Sequence, residues 1–237
     1  DSIAYGQIVH GASNEAAKQA ARALMEKVGL DPNLFGPRYP HELSGGQKQR
    51  INIARALVLE PRVVILDEAV SALDKSVEAQ VLNLLRYLKD VFNLTYVFIS
   101  HDLNVVQYVS DRVLVMYLGE VVEIGPVDKI YANPKHPYTA ALLASRLSMN
   151  PDDRVNEPPL IGDPPNPINP PSGCRFRTRC EFAEKICEIE TPALPQDVGP
   201  MGHACACHMF VAKSGHSKSI MHTAEDVTPS SPAESPS

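Results

Sequence analysis

The sequence predicts an α/β fold with a parallel sheet. Three stretches carry that expectation: a glycine-led helix start at Leu43-Ser44-Gly45-Gly46-Gln47, an unbroken apolar run at Val63-Val64-Ile65-Leu66, and a second run at Tyr96-Val97-Phe98-Ile99. Short apolar runs with a helical stripe between them are the pattern of parallel strands buried on both faces. With 237 residues and 44% apolar content the chain is long enough for one cored domain plus an extension. A net charge of −6 leaves no electrostatic footprint for nucleic acid. No apolar run approaches the roughly 18 residues that a membrane span needs, so a cytosolic location is expected.

Taken in order, Ser2 to Gly11 reads as the interior of a domain rather than its start. Ser13 or Asn14 can cap a helix that carries Ala17, Ala20, Ala21, Leu24 and Val28 on one face and stops at Gly29. Pro32, Gly36, Pro37 and Pro40 then make Leu30 to Glu42 a turn-rich lead without a further regular element. Ser44 can cap the next helix. Its glycines and the free N–H groups of its first turn suit an anion, expected to be a phosphate; an ordinary glycine turn before an amphipathic helix is the plainer reading. Pro61 ends that helix, and the strand after it closes on Asp67 and Glu68. Ligands of open α/β sheets sit beyond the carboxyl ends of the strands, so one acid suits Mg²⁺ and the other suits activating water, although paired acids also occur as solvated strand ends.

Val77, Val81, Leu84, Leu85 and Leu88 form the core stripe of a helix begun near Asp74 or Ser76. The second strand ends in Ser100-His101-Asp102, where Asp102 can cap a short helix with Val105, Val106 and Val109 inward; His101 taken alone reads equally as a packed or capping histidine. Arg112 to Tyr117 and Val121 to Ile124 flank Leu118-Gly119-Glu120 as a hairpin closing the domain.

Together these pieces resemble the nucleotide-binding subunits of ABC transporters. Leu43 to Gln47 matches the signature motif, Val63 to Glu68 the Walker B strand, Ser71 to Asp74 the D-loop, and His101 the switch histidine. Ala69 stands where that family usually has proline. The resemblance implies a partial ABC-type P-loop NTPase domain: a helical subdomain over 1–60, packing against a membrane-embedded partner, and the C-terminal part of a RecA-like core over 61–125. It also implies a head-to-tail pair of such domains with ATP at their interface. Ser44, Gly45, Gly46 and Gln47 would contact the γ-phosphate held by the partner, and Asp74 would lie at the same nucleotide interface. Asp67 would help hold Mg²⁺, Glu68 would polarise the attacking water, and His101 would orient it. No Gly-x-x-x-x-Gly-Lys-Ser/Thr loop occurs in the sequence, and no Gln loop is seen. The chain is therefore expected to be the C-terminal portion of a longer protein, inactive alone, and prone to aggregate through the exposed edges of an incomplete sheet.

Residues 126–211 read as an extension. Pro126 opens a short helix through Tyr131, and His136-Pro137-Tyr138 precedes another over Thr139 to Leu147. Pro137 can simply start that helix, yet the segment resembles the extension of oligopeptide- and dipeptide-importer ATPases. Pro158 to Pro171 is expected to be an extended connector. Beyond it lie five cysteines, and clustered thiols in a cytosolic protein favour metal over disulfide. In the resembling family four such residues can hold a 4Fe–4S cluster, which here implies Cys174, Cys180, Cys187 and Cys207, with tetrahedral zinc or free thiols as the alternatives. A bound metal would staple a segment with little core of its own. The tail, 212–237, is expected to be disordered.

The function so implied is the ATP-hydrolysing, energy-coupling subunit of a dipeptide or oligopeptide importer. Its partners would be two membrane-spanning permease subunits, a second ATPase subunit and an extracytoplasmic binding protein, with the chain on the cytoplasmic face of the membrane. The alternative is a non-catalytic module that completes a partner's ATP site or binds a cluster. An ATPase of DNA repair or chromosome structure is disfavoured, because no long heptad run appears.

Overall fold

The computed structural model describes residues 1–145, 162–163, 165–195 and 198–219, and the chain divides into two compact units, Asp1–Ser110 and Asp111–Ser237. In the first unit a short helix, α1 (Tyr5–Val9), precedes α2 (Asn14–Lys27), and Ser13 caps α2 by accepting from the Ala16 N–H at 3.2 Å. Ala17, Ala21, Leu24 and Met25 face inward from α2, and Gly29 takes φ +75° to release the chain. Leu30 to Glu42 is more regular than its prolines suggest. Asp31 caps α3 (Pro32–Phe35) with Pro32 in the first turn, and a 3₁₀ turn spans Pro40–Glu42. Proline at a helix's first position is pre-shaped for it rather than disruptive, which is the signal that a count of prolines misses.

The signature helix α4 (Gly45–Leu57) buries Ile53, Ala54 and Leu57, and Arg50 ties it to α2 by donating from Nη1 to the Val28 carbonyl at 2.7 Å. Strand β1 (Val63–Asp67) follows, then α5 (Lys75–Phe92), which contributes Val81, Leu82, Leu85 and Leu88 to the core and ends at Asn93 in the left-handed region. Strand β2 (Thr95–Ile99) lies parallel to β1, with Val63 opposite Thr95 and Asp67 opposite Ile99. Burial on both faces is not what the strands show. Val64 and Leu66 are buried, whereas Val63 and Ile65 are 55% and 69% exposed and Val97 and Ile99 also face outward. An unbroken apolar run signals two hydrophobic faces, and in this two-stranded sheet only one of them has a layer packed on it. Asp102 caps α6 (Leu103–Val109) by accepting from the N–H groups of Asn104 and Val105.

The second unit opens with an antiparallel hairpin, β3 (Arg112–Tyr117) and β4 (Glu120–Pro126), with a bulge between Val115 and Met116. Leu118 and Gly119 both take positive φ, as a two-residue turn between twisted strands requires. Helices α7 (Val127–Ala132) and α8 (Pro137–Ala144) follow, the latter with Pro137 in its first turn. Further on come a short helix, α9 (Lys185–Ile189), and a two-residue strand, β5 (Ala204–Cys205), which pairs antiparallel with β4.

The extension has a core of its own, contrary to expectation. Phe176 is 2% exposed and packs edge-on to Tyr117, with ring centroids 5.2 Å apart, and against Tyr138 at 5.5 Å and His136 at 5.7 Å. One aromatic from Gly-Cys-Arg-Phe thus joins the hairpin to α8 through contacts that no local pattern displays. Of the expected connector over Pro158 to Pro171, positions 162–163 and 165–171 are described and contain no helix or strand, whereas 158–161 and 164, like the tail beyond 219, lie outside the described residues. The first part of that tail is ordered rather than disordered: His216 is buried, its Nε2 lies 2.9 Å from the Phe182 carbonyl, and Lys218 sits over the Phe182 ring.

His136 supplies a pH test of the second unit. Its Nδ1 accepts the Tyr138 N–H at 3.0 Å, which needs the neutral ring, and burial pushes its pKa down to about 4. A base whose folded pKa is depressed contributes stability that is full above its unfolded value and falls away as pH drops toward the folded one. Stability is therefore expected to decline by roughly 3 kcal/mol between pH 6.5 and pH 4. Denaturant melts of wild type and His136→Gln check this: the variant should lose that part of the slope, and an unchanged slope contradicts the assignment.

Candidate functional site

Ser44 sets the local geometry of the signature. Its Oγ accepts from the Gln47 N–H at 3.3 Å while the Gln47 Oε1 accepts from the Ser44 N–H at 3.0 Å, a reciprocal capping box. The N–H groups of Gly45 and Gly46, in the first turn of α4, have no acceptor within that helix, as in any helix start, and present a partial positive charge. Gly46 has a second reason to be glycine. A Cβ there would lie 2.5 Å from Val77 Cγ1 of α5, and one on Gly45 would touch Leu73. The signature is thereby packed directly against Leu73, just before Asp74, and against the first turn of α5.

At the carboxyl end of β1, Asp67 and Glu68 are both exposed. Glu68 takes φ +46°, its N–H donates to the Ile99 carbonyl at 3.0 Å, and its own carbonyl accepts from Ser71 Oγ at 3.0 Å. Its side chain then meets the switch histidine: Glu68 Oε1 lies 2.9 Å from His101 Nδ1. That hydrogen bond holds the Glu68 carboxyl below its ordinary range, so it is ionised at neutral pH. A non-glycine residue at positive φ is worth explaining, and here the conformation turns a strand-end carboxylate toward the end of the neighbouring strand.

Asp74 caps α5, accepting the Val77 N–H at 3.0 Å and the Ser76 hydroxyl at 2.9 Å, and these bonds hold its carboxyl low. Lys75, the next residue, reaches Asp102 Oδ2 at 2.9 Å and Glu78 Oε1 at 3.0 Å. Asp102 follows His101 and caps α6, so Lys75 joins the segment after Ser71-Ala72-Leu73-Asp74 to the one carrying His101. The pair is too exposed to add much stability.

Asp67 and Glu68 also line a cleft of about 320 Å³ with Gln49 and Asn52 of α4 and Tyr96 of β2. Sequence reasoning had no signal for Gln49 or Asn52, which lie on the outer stripe of an ordinary amphipathic helix. The signature residues and His101 are not on that cleft's wall. The structure thus brings His101 and Ser71 each into contact with Glu68, sets Asp67 beside it in the chain, and groups Gly45 and Gly46 of the signature with Leu73 and Val77. The carboxylate pair fits an oxygen-liganded cation such as Mg²⁺, and the helix start fits a phosphate.

A second group of residues lies in the other unit. Cys174, Cys180, Cys187 and Cys207 line one small cavity with His208 and His216, whereas Cys205 is buried on β5 and off that wall. No disulfide joins any of the five. The Cys174 N–H donates to the Cys187 carbonyl at 2.8 Å, a bond that requires Gly173, since a Cβ there would stand 2.4 Å from the same carbonyl oxygen. Burial raises the Cys174 thiol and pushes Cys180 up to about 11, while a hydrogen bond from the Cys205 thiol lowers Cys207 to about 7. Four thiols on one cavity are the donor set of soft-metal and cluster chemistry. Among the described residues, however, no three His, Cys, Asp or Glu side chains close on a position for a single metal ion.

Residues 4–71 match the ABC transporter family, and residues 122–187 match the C-terminal region of oligopeptide and dipeptide transporters. The chain is 52% identical over 197 residues to the oligopeptide transport ATP-binding protein OppF of Escherichia coli K12, covering 82% of this chain and 58% of that protein. It is 51% identical to the oligopeptide transport ATP-binding protein AppF of Bacillus subtilis, covering 79% and 56%. A putative peptide import ATP-binding protein of Brucella ovis is 51% identical, covering 85% and 63%. The chain therefore spans about three fifths of the length of these relatives. Among solved structures, an inward-facing putative metal-chelate type ABC transporter aligns with TM-score 0.53 at 28% identity, covering 60% of this chain and 56% of that one. The cbiO1 protein of Clostridium perfringens, part of the complex cbiONQ, aligns with TM-score 0.51 at 26% identity, covering 59% and 55%.

Proposed function

Because the chain belongs to the ABC transporter family, with the C-terminal region of its oligopeptide and dipeptide branch, we propose that it is part of the ATP-hydrolysing subunit that drives import of dipeptides or oligopeptides. The observation that carries the chemistry is the contact of Glu68 with His101 at the end of two parallel strands, beside Asp67. Glu68 polarises the attacking water, His101 holds Glu68 and orients that water, and Asp67 helps hold Mg²⁺, which neutralises phosphate charge when bound. Ser44, Gly45, Gly46 and Gln47 cover the γ-phosphate of ATP held by a second ATPase subunit, and Asp74 sets the loop between them. Phosphoryl transfer asks mainly for such positioning and charge stabilisation.

Among the described residues no helix is long and apolar enough to cross a membrane. Transport then needs two membrane-spanning permease subunits, with this subunit docked on their cytoplasmic face through the region 1–60 and an extracytoplasmic binding protein delivering the peptide. For the cysteine cavity we propose that Cys174, Cys180, Cys187 and Cys207 hold an iron–sulfur cluster, which would brace the segment around Phe176. Uptake of a labelled tripeptide by cells lacking the gene that encodes this chain tests the function. The expected result is loss of uptake, restored by the intact gene; uptake at the wild-type rate contradicts it.

A further inference from the structure

Of the four cavity cysteines, three lie within one short stretch, Cys174 to Cys187, and the fourth, Cys207, comes from a separate one. Cys174 and Cys187 are joined by a backbone hydrogen bond, and Cys180 follows the 3₁₀ turn Arg177–Arg179 that Phe176 leads into the aromatic core. Cys207 arrives from the far side, two residues beyond the end of β5, a strand of two residues, and the Ala206 N–H before it donates to the Val122 carbonyl at 2.8 Å. A ladder this short takes its register from whatever holds the chain entering it, while beyond Cys207 the His208 Nε2 lies 2.9 Å from the Glu190 carbonyl.

That entering chain is held by a carboxylate with no part in the roles assigned to Glu68, His101 or the cysteines. Glu123 of β4 is 0% exposed, and its side chain collects donors from two distant segments. Oε1 accepts the Lys135 N–H at 2.7 Å and lies 2.6 Å from His203 Nε2, while Oε2 accepts the His136 N–H at 3.0 Å. Lys135 closes the loop by donating from Nζ to the His203 carbonyl at 3.0 Å. His203 immediately precedes β5, and Cys205 faces Glu123 across the ladder. We propose that Glu123, acting through His203, is the positioning residue that places Cys207 among the other three thiols. The inference rests on the reading of those four thiols as a ligand set.

The chemistry demands a carboxylate. Each oxygen of Glu123 accepts a backbone N–H, so an amide in its place must turn an NH₂ toward the N–H of either Lys135 or His136. One buried donor is then left without an acceptor whichever way the amide is flipped. Relief comes from moving the Lys135–His136 segment away, which pulls on the bond from Lys135 Nζ to the His203 carbonyl and so shifts the chain that leads through β5 to Cys207.

The test uses the full chain, reduced and freed of metal by chelation, in two cysteine backgrounds: one keeping Cys174 and Cys207, the other keeping Cys174 and Cys187. A low-molecular-weight disulfide is added; two protein thiols lose their protons and two electrons to form one S–S bond, and the reagent leaves as two thiols. The linking rate follows the effective concentration of one thiol at the other, so Glu123→Gln should slow the Cys174–Cys207 link by about tenfold or more and leave Cys174–Cys187 within about twofold. His203→Ala should do the same and serves if the first variant does not fold. An unchanged Cys174–Cys207 rate overturns the proposal, and so does equal slowing of both links, which marks general loss of structure. Iron and acid-labile sulfide, assayed on the anaerobically purified wild type, judge the cluster separately: if both are absent that reading fails, and the linking rates still decide what Glu123 does.

Discussion

Replacing Glu68 with Gln is expected to slow ATP hydrolysis by the assembled transporter about 10²–10⁴-fold, the range for loss of a general base, while ATP binding persists. Gln keeps the shape and can still meet His101, but it has no charge with which to draw a proton from water. The His101 hydrogen bond lowers the Glu68 pKa, which secures the ionised form at neutral pH and also weakens it as a base. Phosphate release under single-turnover conditions measures the effect. A complex that hydrolyses ATP at the normal rate with this change removes Glu68 from the chemistry.

Gly46→Ala should be the next most damaging change, for a reason that lies in packing. The new Cβ would stand 2.5 Å from Val77 Cγ1, closer than real side chains come, so α4 or α5 must shift. Overpacking of this kind costs about 1–3 kcal/mol, and the shift moves the signature turn with it. Val77→Ala removes the offending methyl. The double variant is therefore expected to be no less stable than Val77→Ala alone and to recover most of the hydrolysis lost in Gly46→Ala, a coupling that a double-mutant cycle reads directly. Restored stability without restored hydrolysis would return Gly46 to the role that the sequence first suggests, letting backbone approach a phosphate.

Local chemistry was the legible part of this sequence. Ser13, Ser44, Asp74 and Asp102 cap the helices that follow them because a cap needs only its own residue and the next turn. The strands and their terminal acids were readable for the same reason, and Cys207, not Cys205, lines the cavity with Cys174, Cys180 and Cys187. The missed helix α3 was also locally encoded, by Asp31 and Pro32, and the other failures are long-range. Exposure of Ile65 depends on what else lies over the sheet, which the run Val-Val-Ile-Leu cannot encode. Phe176 gains its core from Tyr117 and Tyr138, far away in the chain. Glu123 looked like one polar residue in a hairpin; its importance comes from Lys135, His136 and His203, and nothing in its neighbours announces them. His216 sat in a stretch whose composition argued for disorder, yet it packs onto the cysteine cavity.

ATP hydrolysis at the Glu68–His101 site is proposed to move peptide across a membrane. Its most direct test is ATP-driven peptide accumulation in vesicles containing the complete transporter, purified with its full-length ATPase subunits and supplied with peptide-loaded binding protein. Accumulation is expected to require ATP, to fail with a non-hydrolysable analogue, and to be abolished by Glu68→Gln. Accumulation that continues with the analogue, or with Glu68→Gln at the wild-type rate, would contradict it.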